Sequence, residues 1–268
     1  MYWRTRGMRL FSALREDLRV LPVLTLLSYA EIVLCLAALC FLVIKRQWKD
    51  YWALGSFLAV RVVSDTTLAV LHQLVHQLGR STAYQAYFWV YWMAFAVESV
   101  LALFLVYGVF RLTLQPLKGL LKVGTIFFCG VAVASEVYAL RAAFGPHLSG
   151  MSSLIAMISQ LQRNQSLLTL GMLLFVFFAM RPAGVSGRSR IFGVGLGLGA
   201  LAINDLVQSA WLTFRPNVPM VFAINGAVFC AALVLWTAYF ALPEPERGEI
   251  DFRSPLWRWN RICLGWFA

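Results

Sequence analysis

Apolar runs alternate with short polar breaks along the whole chain. A helix needs about 20 mostly apolar residues to cross a bilayer. Seven runs qualify, at about 21–45, 51–77, 84–111, 119–143, 151–181, 190–214 and 217–242, and residues 216–243 carry no charge. The breaks hold helix-stopping residues. Lys45-Arg46 to Asp50 forms the first, Pro116 lies before the fourth run, and Gly145-Pro146 with Gly150 follows it. Arg181-Pro182 through Arg190, then Arg215-Pro216 with Pro219, form the last two. No linker is long enough to separate domains. The pattern predicts an all-α polytopic membrane protein, with seven transmembrane helices in one bundle over 21–242.

The flanks have their own character. In residues 1–20, Leu10, Phe11, Leu14 and Leu18 recur at helical spacing among five arginines, Arg4, Arg6, Arg9, Arg15 and Arg19. That predicts an amphipathic helix lying on the membrane surface. No small-residue cleavage site follows, so it does not read as a cleaved signal peptide. A start at Met8 would remove Arg4 and Arg6. In the short cytoplasmic tail, 243–268, Trp257, Trp259, Cys263, Trp266 and Phe267 with Arg258 and Arg261 predict membrane anchoring or partner docking.

Composition sharpens the class. The apolar share is 60% and the charged share 13% of 268 residues. Soluble domains hold roughly 45–50% and about 25%. A soluble enzyme, a disordered chain and a disulfide scaffold are excluded. Cys35, Cys40, Cys129, Cys230 and Cys263 form no C-x-x-C pair and read as packing residues. The net charge of +11 follows from basic loops and does not call for nucleic acid. Loops 1, 3 and 5 hold nine basic residues (Lys45, Arg46, Lys49, Arg111, Lys118, Lys122, Arg181, Arg188, Arg190), whereas loops 2, 4 and 6 hold Arg80, Arg141 and Arg215. The positive-inside rule then gives an N-out/C-in topology, in a plasma or inner membrane. The five N-terminal arginines run against it. Trp48, Tyr51 and Trp52, the Tyr84–Trp92 cluster, and Trp236 with Tyr239 are expected at the two interfaces. Setting Asp65 against Asp205 also aligns Gly55 with Gly195 and Ser64 with Asn204. The result is a possible 3+1+3 parallel repeat that resembles the plan of the sugar-exporting SWEET transporters.

The candidate chemistry lies inside the helices. Glu31, Arg61, Asp65, Glu98, Glu136, Arg163 and Asp205 are ionisable residues well within apolar runs. Each costs about 2.5–3.5 kcal/mol at a helix centre, so most must pair, lose their charge or meet water. With Asn164 and Asn225 they are expected to line a ligand- or ion-binding cavity in the outer half of the membrane, beside an almost purely apolar inner half. Arg163, among Gln160, Asn164 and Gln165, is the expected main cationic partner of the acids. Five acids against two bases suit proton coupling or cation binding, since apolar burial favours the neutral carboxyl. They equally suit a static network that fixes helix packing.

Other chemistries find no footing. Arg61, Asp65, His72 and His76 share one helix face, but Gln73 stands where a zinc protease motif needs glutamate. No metal and no cofactor is expected. The last run lacks a Schiff-base lysine. Gly193, Gly195, Gly197 and Gly199 follow no strand and read as close packing between small residues. The expectation is a non-enzymatic membrane binding protein, a transporter or a sensor of a small ligand or ion. The alternative is an accessory subunit of a larger membrane complex. Its expected partners are the lipid bilayer, an unknown small ligand or ion, and a membrane protein partner or a second copy.

Overall fold

The computed structural model describes residues 25–78, 80–143, 151–214, 218–248 and 253–266. The amphipathic reading of residues 1–20 lies outside them. Eight helices occur in the described part: α1 (Thr25–Ile44), α2 (Trp52–Leu78), α3 (Arg80–Leu114), α4 (Lys118–Ala143), α5 (Met151–Met180), α6 (Arg190–Phe214), α7 (Val218–Ala241) and α8 (Pro255–Gly265). No strand occurs among the described residues. The first seven helices are each long and apolar enough to cross a membrane. Their outward faces are apolar at mid-helix, with Phe127 of α4 and Leu167 of α5 66% and 53% exposed. Such a surface is compatible with lipid and incompatible with water.

Sequential neighbours pack against one another, and α3 also touches α5 and α6. Apart from Glu98 and Arg111, α3 is apolar on every face of its span, which suits a helix with partners on one side and exposed apolar residues such as Trp89 and Val100 on the other. One edge of α1 faces α2 through Arg61 and Glu31, and the other meets α7, where a Cβ added at Gly226 would lie 3.5 Å from the Leu27 side chain.

The apolar core sits at one end of the assembly. Leu42, Leu54, Val106, Phe110, Leu114, Val176, Leu233 and Phe240 are buried there, near the breaks that hold the basic residues. That end is also tied together by the segment after α7. Arg190 pairs with Glu244 at 2.9 Å, Gly248 N–H donates to the Gly184 carbonyl at 2.9 Å, and Arg247 reaches the Leu112 carbonyl. The positive φ of Gly184, 70°, turns the chain there, a conformation natural to glycine. Tyr51, packed edge-on against Phe240 at 5.2 Å, is buried beneath Glu244; both effects push its hydroxyl pKa up.

Two expectations are corrected here. Trp236 does not present its ring to lipid or water as an interface anchor would: it is fully buried against α6, its indole N–H donating to the Val194 carbonyl at 3.4 Å. The alternating glycines of α6 do not meet small residues either. Gly193 and Gly197 receive the Tyr239 and Trp236 rings of α7, while Gly195 and Gly199 face Leu173 of α5. Residues four apart share a helix face, and residues two apart point about 200° away. One alternating stripe therefore fits two helices.

The tail also turns inward. Helix α8 lies on the start of α4, with Asn260 and Cys263 buried. The Asn260 Oδ1 accepts from Gly119 N–H at 2.8 Å and Leu120 N–H at 3.2 Å, supplying partners that the first turn of a helix lacks. Trp259 and Trp266 remain exposed on its other side.

Candidate functional site

Arg61 sits nine residues into α2, about 14 Å from the helix start at 1.5 Å per residue. That is close to the middle of a hydrocarbon layer about 30 Å thick. Its guanidinium gathers carboxylates from three helices. Nε and Nη2 both lie 2.7 Å from Glu31 Oε1 of α1, and Nη1 donates to Glu98 Oε2 of α3 at 2.8 Å. Asp65, one turn further along α2, approaches Nε at 3.5 Å. The Ser64 hydroxyl lies 3.2 Å from Glu98 Oε1 and 2.9 Å from the Arg61 carbonyl. Phe229 of α7 lies beneath the guanidinium, 4.9 Å from Cζ to ring centroid. A fork of donors over an aromatic face is arginine geometry, which a lysine could not reproduce.

The four charges are not equivalent. Glu31 and Glu98 are buried and hold short, charge-assisted bonds. Among the described residues Asp65 has only the long contact, and its side chain is 22% exposed. The Arg61 side chain keeps 29% exposure although α1, α3 and α7 all touch it. The cluster therefore has a closed side, formed by the two glutamates, and an open side marked by Asp65.

A second polar layer is built by α5. Three consecutive residues reach three different helices. Asn164 donates to the Ser135 carbonyl of α4 at 3.4 Å, Gln165 to the Ser99 carbonyl of α3 at 2.9 Å, and Ser166 to Asp205 Oδ2 of α6 at 3.3 Å. On α6, Asn204 donates to Asn225 Oδ1 of α7 at 2.9 Å.

The sequence-predicted residues thus divide. Glu31, Arg61, Asp65 and Glu98 converge on one point. Asn164, Asp205 and Asn225 belong to the interhelical layer around α5 and α6. The Glu136 side chain, and those of His72 and His76, lie outside the described residues. Arg163 is a correction: it is exposed, and the cationic partner of Glu31, Asp65 and Glu98 is Arg61. Helix rotation accounts for this. Residues 164 to 166 sweep about 200° of helix surface toward α4, α3 and α6, and Arg163 falls in the remaining sector. Ser64, Ser166 and Phe229 were not anticipated. Ser64 had a signal, because it lies three residues after Arg61 on the charged face of α2; Phe229, one aromatic residue in an apolar run, had none.

The three carboxylates converge on the guanidinium and not on a shared empty point. No group of three His, Cys, Asp or Glu side chains suited to a metal ion occurs among the described residues. Neither a protein-family model, nor a curated protein, nor a solved structure matches the chain.

Proposed function

We propose that this chain is a proton-responsive membrane transporter or sensor whose working site is the Arg61 cluster. The observation that carries this reading is a charge imbalance in mid-helix: three carboxylates around one guanidinium, a formal excess of two negative charges. In apolar surroundings such an excess must be balanced by a proton or a bound cation. Asp65 is the group to exchange it, being open on one side and only loosely held. Its neighbours do the positioning. Glu31 and Glu98 fix the guanidinium, and Phe229 sets its height. The cluster opens away from the basic end, which faces the cytoplasm in this reading, so the site is served from the outer face. The possible 3+1+3 repeat would make α1–α3 and α5–α7 the two moving units around it.

The second reading is an accessory subunit, with the cluster as a static fastening between α1, α2 and α3. The short bonds from Arg61 to Glu31 and Glu98 favour it, because a satisfied polar network fixes helix packing.

Reconstituted liposomes containing a pH-sensitive dye separate the two. A transporter gives a proton signal with some member of a panel of small solutes, and Asp65→Asn abolishes it while the protein still folds. Silence across the panel, together with a partner protein recovered by gentle detergent pull-down, moves the assignment to the accessory subunit.

A further inference from the structure

A cleft of about 610 Å³ opens at the basic end, between the start of α2, the last turns of α3 and the first turns of α4. It shares no residue with the Arg61 cluster. Four cations line it, Lys49, Arg111, Lys118 and Lys122, against one carboxylate, Asp50. They come from separate stretches of sequence, so the fold gathers them. The side chains and not the α4 helix terminus must hold a ligand here, because Asn260 already takes the Gly119 and Leu120 amides.

The cleft is also graded by depth. Phe104 lies two turns before Arg111 on α3, about 10 Å further into the helical span. It meets Trp52 at 5.7 Å between ring centroids, and both rings are nearly half exposed. Gly108 stands between the charged and aromatic levels, where an added Cβ meets nothing within 4 Å. Cations at the mouth, open space at a glycine and an apolar wall below match an amphiphile with an anionic head. A free phosphate would use the mouth alone.

We infer that this cleft binds an anionic phospholipid, with its phosphate among Lys49, Arg111, Lys118 and Lys122 and an acyl chain against Trp52 and Phe104. Basic pockets between transmembrane helices are suited to such headgroups.

The test is a titration of the purified full chain with fluorescent phosphatidylglycerol, with phosphatidylcholine as the neutral counterpart. The expected result is a preference of roughly tenfold or more for the anionic lipid, unaffected by excess inorganic phosphate. Arg111→Gln with Lys118→Gln should lower that affinity roughly tenfold. Gly108→Leu, which alters no charge and fills open space, should weaken binding as well. Lys45→Gln with Arg188→Gln removes the same charge from exposed sites outside the cleft and should leave binding intact. Equal binding of the two lipids, displacement by inorganic phosphate, equal loss in the charge-matched pair or unchanged binding by Gly108→Leu would each overturn the assignment. If the Arg111 and Lys118 variant does not fold, Gly108→Leu decides alone.

Discussion

Arg61 and Arg163 are the same residue type, each inside an apolar helix, and the structure gives them opposite roles. One holds three carboxylates and the other is exposed. Removing Arg61 leaves Glu31 and Glu98 buried without a counter-charge, and breaking a buried pair costs about 3–5 kcal/mol. Arg61→Ala should therefore lower the thermal stability of the purified protein sharply. Arg163→Ala, which strands no carboxylate and removes a charge at the edge of the apolar window of α5, should lower stability much less than Arg61→Ala. A differential scanning measurement on both variants checks the contrast, and equal losses would contradict the assignment. The sequence made the ionisable positions legible, because a charge in an apolar run is conspicuous. It did not make the pairing legible. Which face of α5 meets a neighbour depends on helix rotation and adjacency, and Arg163 looked better placed only because Gln160, Asn164 and Gln165 surround it in the sequence.

At the level of elements, the seven apolar runs match the seven helices closely, since length and hydropathy decide them locally. The edges differ where polar residues continue a helix. Helix α3 begins at Arg80 and ends at Leu114, several residues beyond its apolar run at 84–111. Contacts were harder to read. The glycines of α6 resemble a helix-to-helix packing stripe, yet two of them are sockets for rings on α7. This reverses the ordinary effect of a glycine substitution. Gly→Ala in a helix usually stabilises by about 0.5–1 kcal/mol. At Gly197 the new methyl would run into the Trp236 indole, which is fully buried and has no room to retreat. Gly197→Ala should destabilise, by about 1–3 kcal/mol if it behaves as ordinary overpacking. Gly130→Ala on α4, where an added Cβ meets nothing within 4 Å, should be neutral or stabilising. Chemical unfolding of the two variants in detergent, read by circular dichroism, tests whether the signs differ.

For the whole molecule, the breaks after α1, α3 and α5 and the segment beyond α7 meet at one end, linked by Arg190–Glu244, Gly248–Gly184 and Asn260–Gly119. The basic residues counted in the sequence gather there, and the positive-inside rule predicts that this end faces the cytoplasm. A reporter active only outside the cell should stay silent when fused after residue 248 and become active when inserted at Gly145-Pro146; the reverse result would invert the topology. The inward fold of the tail was not readable, because its tryptophans suit a membrane surface as well as a protein groove. Asn260, which docks it, is one polar residue among many.

The run Asn164-Gln165-Ser166 also limits how the molecule can move. Each of the three side chains holds a different helix, so turning α5 about its own axis by one residue would break all three attachments together. Axial rotation of α5 is thus a closed degree of freedom. Any rearrangement that parts α5 from α3, as movement of α5–α7 against α1–α3 would, must first release the Gln165 side chain from the Ser99 carbonyl.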